Sequence, residues 1–348
     1  MWRRACSSKL TPSKFTNGQD ESDKPVTAKT RLLVSRRMPP NVTARACSSY
    51  AATLNEADAP LGRDGLLNAA QGQAGLLVCA SEKMDAELIA QLPDSVRIIS
   101  TFSVGYEHID VAAALARGIV VTNTPDVLTD ATADITMLCL LGAARRANEA
   151  LAMVREGRWV GWDSTMLLGT HVTGKRLGIF GMGRIGRAVA RRARGFGMQI
   201  HYLNRTQLPD ELAQGAVFHA DLDTFLGVSE FLCINAPASP ETVKFLNAET
   251  ITRLPDKAVI VNTARGNLID DEALISALNS GKIAAAGLDV FDGEPRLTPE
   301  YTSLPNVFAL PHVGSATHET RDAMGYMCLD NLDAFFAGRA CANALSSS

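Results

Sequence analysis

Missing from this chain are a strong charge of either sign, a C-x-x-C pair, an internal repeat, and any apolar run long enough to span a membrane. The formal charge is −3, from 34 basic and 37 acidic side chains mixed along the sequence. That balance removes the electrostatic case for nucleic acid, and a small anionic substrate would have to be held by local charge. No membrane partner is expected, and the folded protein is expected to be soluble and cytoplasmic. The cysteines are Cys6, Cys47, Cys79, Cys139, Cys233, Cys328 and Cys341. Cys79, Cys139 and Cys233 lie inside apolar runs, which predicts buried thiols in a reducing compartment rather than a disulfide framework or a metal site. Residues 1–30 hold no apolar stretch fit for a signal sequence. Their basic start soon meets Asp20, Glu21 and Asp23, so a disordered tail is expected, with organelle targeting the minor alternative.

What is present fits an α/β protein with many short turns: 348 residues, 46% of them hydrophobic, with 27 glycines and 15 prolines. That length predicts two domains of unequal size. Strand-like apolar runs occur at 31–35, 75–79, 96–100 and 118–122, separated by helical stretches, giving a modest parallel α/β pattern without a diphosphate turn. A helix is expected over 131–155, capped by Thr129 or Asp130, with Ile135, Met137, Leu138 and Leu141 on its apolar surface. The irregular stretch 157–174 contains Trp159 and Trp162, both expected to be packing anchors. A second series of runs follows at 177–180, 198–203, 231–235, 258–262, 286–290 and 307–310. Strand followed by helix, repeated this often, predicts a doubly wound sheet. A last helix over 319–336 is expected to cross back to the first domain.

The second series opens on a glycine turn, Gly181-Met182-Gly183-Arg184-Ile185-Gly186. The three glycines have separable jobs: a tight turn, close backbone approach to a diphosphate, and a tight helix-to-sheet crossing. The helix that follows offers its amino end to the anion. The acid that would read a ribose hydroxyl is absent from the end of the next strand, where Asn204, Arg205 and Thr206 stand instead. Arg205 can pair with a 2′-phosphate, which favours NADPH while leaving NADH possible.

Three further residues follow strand-like runs: Arg265, Glu294 and His312. A carboxylate paired with an imidazole stabilises its charged form and fixes its tautomer, so His312 could protonate a carbonyl oxygen as hydride arrives. The fork of Arg265 can hold a carboxylate and polarise the adjacent ketone. Asp289 is better suited to accept a hydrogen bond from the nicotinamide amide than to donate a proton.

These motifs, in the order Thr101 to Asp110 (TFSVGYEHID), the glycine turn, Thr263 to Gly266 (TARG) and Pro311 to Ser315 (PHVGS), resemble the D-isomer-specific 2-hydroxyacid dehydrogenase family, particularly its glyoxylate/hydroxypyruvate reductases. The resemblance covers about residues 31–340. It implies two Rossmann-like domains: a doubly wound parallel nucleotide-binding sheet over 129–312, and a smaller flavodoxin-like substrate domain made of 31–128 and 313–340, with tails at 1–30 and 341–348. It assigns Arg265 to substrate binding, Glu294 as partner of the base and His312 as acid/base. It also places the amides of Val104 and Gly105 against the substrate carboxylate. Gly181, Gly183, Arg184, Ile185, Gly186, Asn204, Arg205, Thr206, Ala236, Pro237, Thr263, Ala264, Asp289, His312 and Gly314 would face the cofactor, and His108 would be structural. A homodimer is implied, with domain movement near Leu128 and after His312. Met166 stands where some hydroxypyruvate reductases of the family lend a tryptophan to the neighbouring active site, and methionine lacks that ring and its N–H. Asp134 stands where many relatives carry glutamate. The implied activity is NADPH-preferring reduction of glyoxylate and hydroxypyruvate. The alternatives are a reductase for a bulkier 2-oxo acid and a dinucleotide-sensing, corepressor-like protein.

Overall fold

The computed structural model describes residues 29–346, so most of the expected tail over 1–30 lies outside the described residues. Twelve strands form two wholly parallel sheets. The first contains β1 (Arg31–Val34), β2 (Ala51–Leu54), β3 (Gly75–Val78), β4 (Ile98–Thr101) and β5 (Val120–Thr122), ordered β2-β1-β3-β4-β5. This is the flavodoxin-like order. Successive side chains of a strand point to opposite faces, and both faces here are apolar: Leu33, Leu76, Val78 and Ile99 on one side, Leu32, Val34, Leu77 and Ile98 on the other. The second face is covered by the last helix, His318–Phe336, through Cys328, Leu329 and Leu332.

The second sheet contains β6 (Arg176–Phe180), β7 (Gln199–Leu203), β8 (Val217–His219), β9 (Phe231–Ile234), β10 (Ala258–Asn262), β11 (Ile283–Leu288) and β12 (Val307–Ala309). Its order is β12-β11-β10-β9-β6-β7-β8. The helices Thr129–Ala144 and Arg184–Gly195 bury one face, and Leu222–Val228, Ala248–Arg253 and Asp271–Ser280 bury the other. Cys139 and Cys233 are fully buried there, as their apolar contexts predict, whereas Cys79, just past β3, is only partly buried.

Five local expectations are corrected. The helix expected over 131–155 is two helices, Thr129–Ala144 and Ala147–Arg155, broken at Arg146, which takes a left-handed conformation (φ 54°) and clasps Glu149 with two hydrogen bonds of 2.7 and 2.6 Å. Its first helix is capped by neither Thr129 nor Asp130. Leu128 occupies that position, and the Asp130 carboxylate turns to Arg191 and Arg192 at 3.0 Å instead. Trp159 and Trp162 are not buried among the described residues: they are 59% and 83% exposed, and Leu138, Leu151, Val154, Val160 and Leu168 are exposed as well. Leu138 therefore lies off the buried stripe of its helix. The carboxyl-terminal segment expected to be a tail is tied down as far as Leu345, because Ala344 bridges Thr122 antiparallel and the Leu345 amide donates to Val121 at 2.8 Å.

Candidate active site

Because all strands of the second sheet run parallel, every strand–helix connection at their carboxyl ends emerges at one edge. Gly181 follows β6, Asn204 follows β7, Ala236 lies just beyond β9, Thr263 to Arg265 follow β10, Asp289 follows β11 and His312 lies just beyond β12. β6 sits between β7 and β9, so the glycine turn opens at the point where the winding reverses and a crevice forms.

The turn has the shape a diphosphate needs. Gly181 takes φ 92°, and a Cβ there would lie 2.5 Å from the Ala236 nitrogen. A Cβ on Gly186 would lie 2.4 Å from the Gly181 oxygen, so helix and strand cross too closely for any side chain. Gly183, the N-cap of the Arg184–Gly195 helix, faces open space instead, leaving the helix amino end accessible to an anion. Asn204 accepts the Met182 amide at 2.7 Å and so shapes the turn with its side-chain oxygen. Arg184 pairs with Asp126, while Arg205 and Thr206 are exposed just past Asn204. Asn235, at the end of β9, leaves its buried Oδ1 without a partner. Together these residues fit a dinucleotide.

Arg265 and the loop after β4 come from different sheets and meet. The guanidinium lies against Gly105, so closely that a Cβ there would stand 1.7 Å from Nη2. Nη1 donates to the Ala264 carbonyl at 2.7 Å, and Nη2 faces Glu107 Oε2 at 3.4 Å. Asn262 holds the turn beneath: its Oδ1 accepts the Ala264 amide at 3.0 Å and its Nδ2 donates to the Arg265 carbonyl at 2.8 Å. Thr263 is locked to Thr136 by a 2.7 Å hydroxyl contact. In the facing loop, Ser103 donates to the Gly105 carbonyl at 2.7 Å and Asn123 donates to the Val104 carbonyl at 2.8 Å. The amides of Val104 and Gly105 have no protein acceptor among the described residues, which leaves two donors beside a guanidinium.

His312 also adopts a left-handed conformation (φ 53°), uncommon outside glycine and a form of stored backbone strain. Its Nδ1 donates to Glu294 Oε1, while Glu294 Oε2 accepts the Phe291 amide at 3.2 Å. Burial alone would raise the Glu294 carboxyl, but the His312 hydrogen bond and charge, the Phe291 amide and the more distant Arg265 together hold it below the usual carboxylate range. An ionised carboxylate only accepts, so the hydrogen sits on Nδ1 and Nε2 remains for exchange with a ligand. Asp289 is 1% exposed and accepts the Val313 amide at 2.8 Å. Burial raises its carboxyl above the ordinary value despite that amide. Gly314 lies beside it: a Cβ there would be 3.2 Å from Asp289 Oδ2. His108 bonds Thr101 Oγ1 at 3.0 Å, and burial, against the opposing charge of Glu107 and with that of Arg265 adding to it, lowers its pKa to about 4. It is a neutral packing group.

Sequence reading brought Arg265 to the Val104–Gly105 loop but missed Glu107, which shares the loop and reaches the same guanidinium. The signal was present as an acidic residue two positions beyond Gly105, but only the approach of the two sheets gives it a partner.

A model for the D-isomer specific 2-hydroxyacid dehydrogenase NAD binding domain matches residues 137–314. A glycerate dehydrogenase of Hyphomicrobium methylovorum is 43% identical over 92% of this chain and 100% of its own. A glyoxylate reductase of Thermococcus litoralis is 41% identical over 89% of this chain and 95% of its own. Among solved structures, an NADPH-dependent glyoxylate/hydroxypyruvate reductase from Sinorhizobium meliloti, in complex with NADP and malonate, superposes with a TM-score of 0.82 at 36% identity, covering 92% of this chain and 97% of that one. With likeness running through both sheets, this chain belongs to the D-isomer specific 2-hydroxyacid dehydrogenase family of NAD(P)-dependent oxidoreductases.

Proposed function

We propose that this enzyme reduces small 2-oxo acids, glyoxylate first and hydroxypyruvate second, with NADPH preferred over NADH. The observation that carries the reading is convergence: Arg265 lies on Gly105 while Glu294-backed His312 stands at the same sheet edge as the glycine turn. Arg265 and the free amides of Val104 and Gly105 bind the substrate carboxylate and orient the adjacent carbonyl. When bound, the cofactor supplies the hydride. His312 gives the Nε2 proton to the carbonyl oxygen, and Glu294 offsets the charge on its ring before that transfer; oxidation of a 2-hydroxy acid returns the proton to the same atom.

Gly181, Gly183, Ile185 and Gly186, with Arg184, hold the diphosphate. Asn204, Arg205 and Thr206 read the adenosine ribose, and Arg205 supplies the charge for a 2′-phosphate. Ala236, Pro237, Thr263 and Ala264 line the cleft, and Asp289 and Gly314 meet the nicotinamide end. Residues 31–128 and 313–340 form the substrate-side unit and 129–312 the dinucleotide unit, hinged near Leu128 and after His312. The exposed Trp159, Val160 and Trp162 suit burial against a second copy in a homodimer. Support from relatives lies in their names, a glycerate dehydrogenase and glyoxylate reductases. The test is a rate matrix of NADH and NADPH against glyoxylate, hydroxypyruvate, pyruvate and phenylpyruvate. Fastest oxidation of NADPH with the first two is expected. Equal rates with NADH would end the cofactor assignment, and no turnover of either small acid would end the substrate assignment.

A further inference from the structure

Glu107 has no part in the chemistry just described, yet its carboxylate is aimed at the residue that would receive the substrate. Its Oε2 lies 3.4 Å from Arg265 Nη2, on a loop whose neighbouring amides are free. Seen from Gly105, guanidinium and carboxylate crowd the same spot: a Cβ there would lie 1.7 Å from Nη2, 2.6 Å from Glu107 Oε2 and 2.9 Å from Arg265 Cζ. The contact is loose. A well-made charge-assisted hydrogen bond between these groups measures about 2.7–2.9 Å, and a guanidinium clamped by its proper partner is held by two parallel bonds. Here a single oxygen faces one nitrogen, and both side chains are more than a third exposed. Nη1 meanwhile spends a hydrogen on the Ala264 carbonyl, which fixes the plane of the fork but leaves its charge unmatched.

We infer that Glu107 is a resident counter-ion: it occupies the ligand-free guanidinium of Arg265 and is displaced by the substrate carboxylate, so that it sets KM and selects against acids bearing a second carboxylate. The inference rests on Arg265 being the carboxylate receptor of the proposed reaction. Its physical content is two steps of simple electrostatics. An arriving carboxylate must break the Arg265–Glu107 contact before it makes its own, which weakens apparent binding by the worth of that contact. Once displaced, Glu107 stays tethered two residues from Gly105, and its charge remains near the pocket mouth. A substrate with one carboxylate has its charge matched by Arg265 and tolerates that neighbour. A second carboxylate, with the charge on the His312 ring already offset by Glu294, meets the like charge of Glu107.

The variants are Glu107→Gln, which keeps the shape and removes the charge, and Glu107→Asp, which keeps the charge and retracts it by one methylene. The binding probe is oxamate, an unreactive monocarboxylate with the outline of a 2-oxo acid, titrated calorimetrically into the NADPH-bound protein. E107Q is expected to bind oxamate about fivefold more tightly than the unaltered protein, the factor corresponding to a half-exposed pair worth about 1 kcal/mol. E107D is expected to fall between the two, and it carries the test if E107Q does not fold. In turnover, KM for glyoxylate should drop by a similar factor in E107Q. The ratio of kcat/KM for a 2-oxo dicarboxylate to that for glyoxylate should rise about tenfold. Unchanged or weaker oxamate binding in both variants overturns the inference, as does an unchanged selectivity ratio. A merely structural Glu107 would loosen oxamate binding and leave the ratio alone. Should the unaltered enzyme turn over none of the small acids, the proposed reaction fails; the oxamate titration still judges Glu107 by itself.

Discussion

Replacing Gly105 with alanine should cripple the enzyme while leaving it folded. Gly105 needs no left-handed backbone, so alanine is permitted there by conformation, and the new methyl carbon would meet Arg265 Nη2 at 1.7 Å, Arg265 Cζ at 2.9 Å and Glu107 Oε2 at 2.6 Å. All three obstructing atoms lie at the far ends of flexible side chains. They can withdraw, so the cost to stability is small, and a melting temperature within about 3 °C of the parent is expected for a protein of this size. Withdrawal is what destroys function. To regain an ordinary contact of about 3.5 Å, Nη2 must retreat by nearly 2 Å from the loop whose amides would bind the same carboxylate in the proposed reaction. A displacement of about 1 Å in a positioned group can cost a hundredfold in rate, and charged hydrogen bonds contribute about 1.5–3 kcal/mol each. The expected loss in kcat/KM for glyoxylate is therefore between about tenfold and a little over a hundredfold, at about 1.4 kcal/mol per tenfold. The assay pairs NADPH oxidation, followed by absorbance, with a thermal melt of the same sample. A G105A enzyme with kcat/KM near that of the parent would refute the placement of Arg265 over the loop. An unfolded G105A would refute the claim that only side-chain ends stand in the way.

Gly287→Ala should behave in the opposite manner, because a Cβ on β11 would meet the Cys139 carbonyl oxygen at 2.3 Å and its carbon at 2.7 Å, backbone atoms of a helix that cannot step aside; destabilisation of about 3 kcal/mol, read by urea denaturation, is expected. Arg205→Ala should raise KM for NADPH about tenfold or more with little change for NADH, measured as initial rates, since it removes the charge proposed to meet a 2′-phosphate. Acid should weaken the fold through His108, whose pKa is lowered from 6.5 to about 4. Between those values the unfolded chain binds the extra proton, so this contribution is complete above the unfolded pKa and is lost as pH falls through the window, by about 2 kcal/mol from pH 7 to pH 5. His108→Asn should remove that part of the pH dependence in denaturant melts, and an unchanged slope would count against burial of the neutral ring.

The central strands were legible because a parallel strand covered on both faces must be apolar at successive positions: β1, β3, β6, β9 and β10 stand out as short hydrophobic runs. The edge strands β2 and β8 did not. One flank of each is open, so Ala51–Leu54 is only half covered and Val217–His219 is partly exposed, which leaves neither an apolar run nor a clean alternation. The break at Arg146 carries no glycine or proline, and only the clasp on Glu149 marks it. The tryptophans read as buried because size and hydrophobicity argue for cover, but cover can come from outside a single chain. Around the candidate site, the positions of Arg265 and His312 just past β10 and β12 were legible from their strands, and Glu294 from the turn that follows β11. Glu107 was not, since its partner lies 158 positions away.

The helix that seals the first sheet is made long after the strands it covers. Leu32, Val34, Leu77 and Ile98 are synthesised before the whole second sheet, but the residues that cover them, Cys328, Leu329 and Leu332, emerge only after it. The seven-stranded sheet is complete by Ala309, before that helix begins. The nascent chain therefore matures back to front, its middle settling first while the amino-terminal sheet waits with one greasy side bare and prone to stick to other chains. A stop codon anywhere before Leu332 would thus strand the beginning of the protein rather than merely shorten its end.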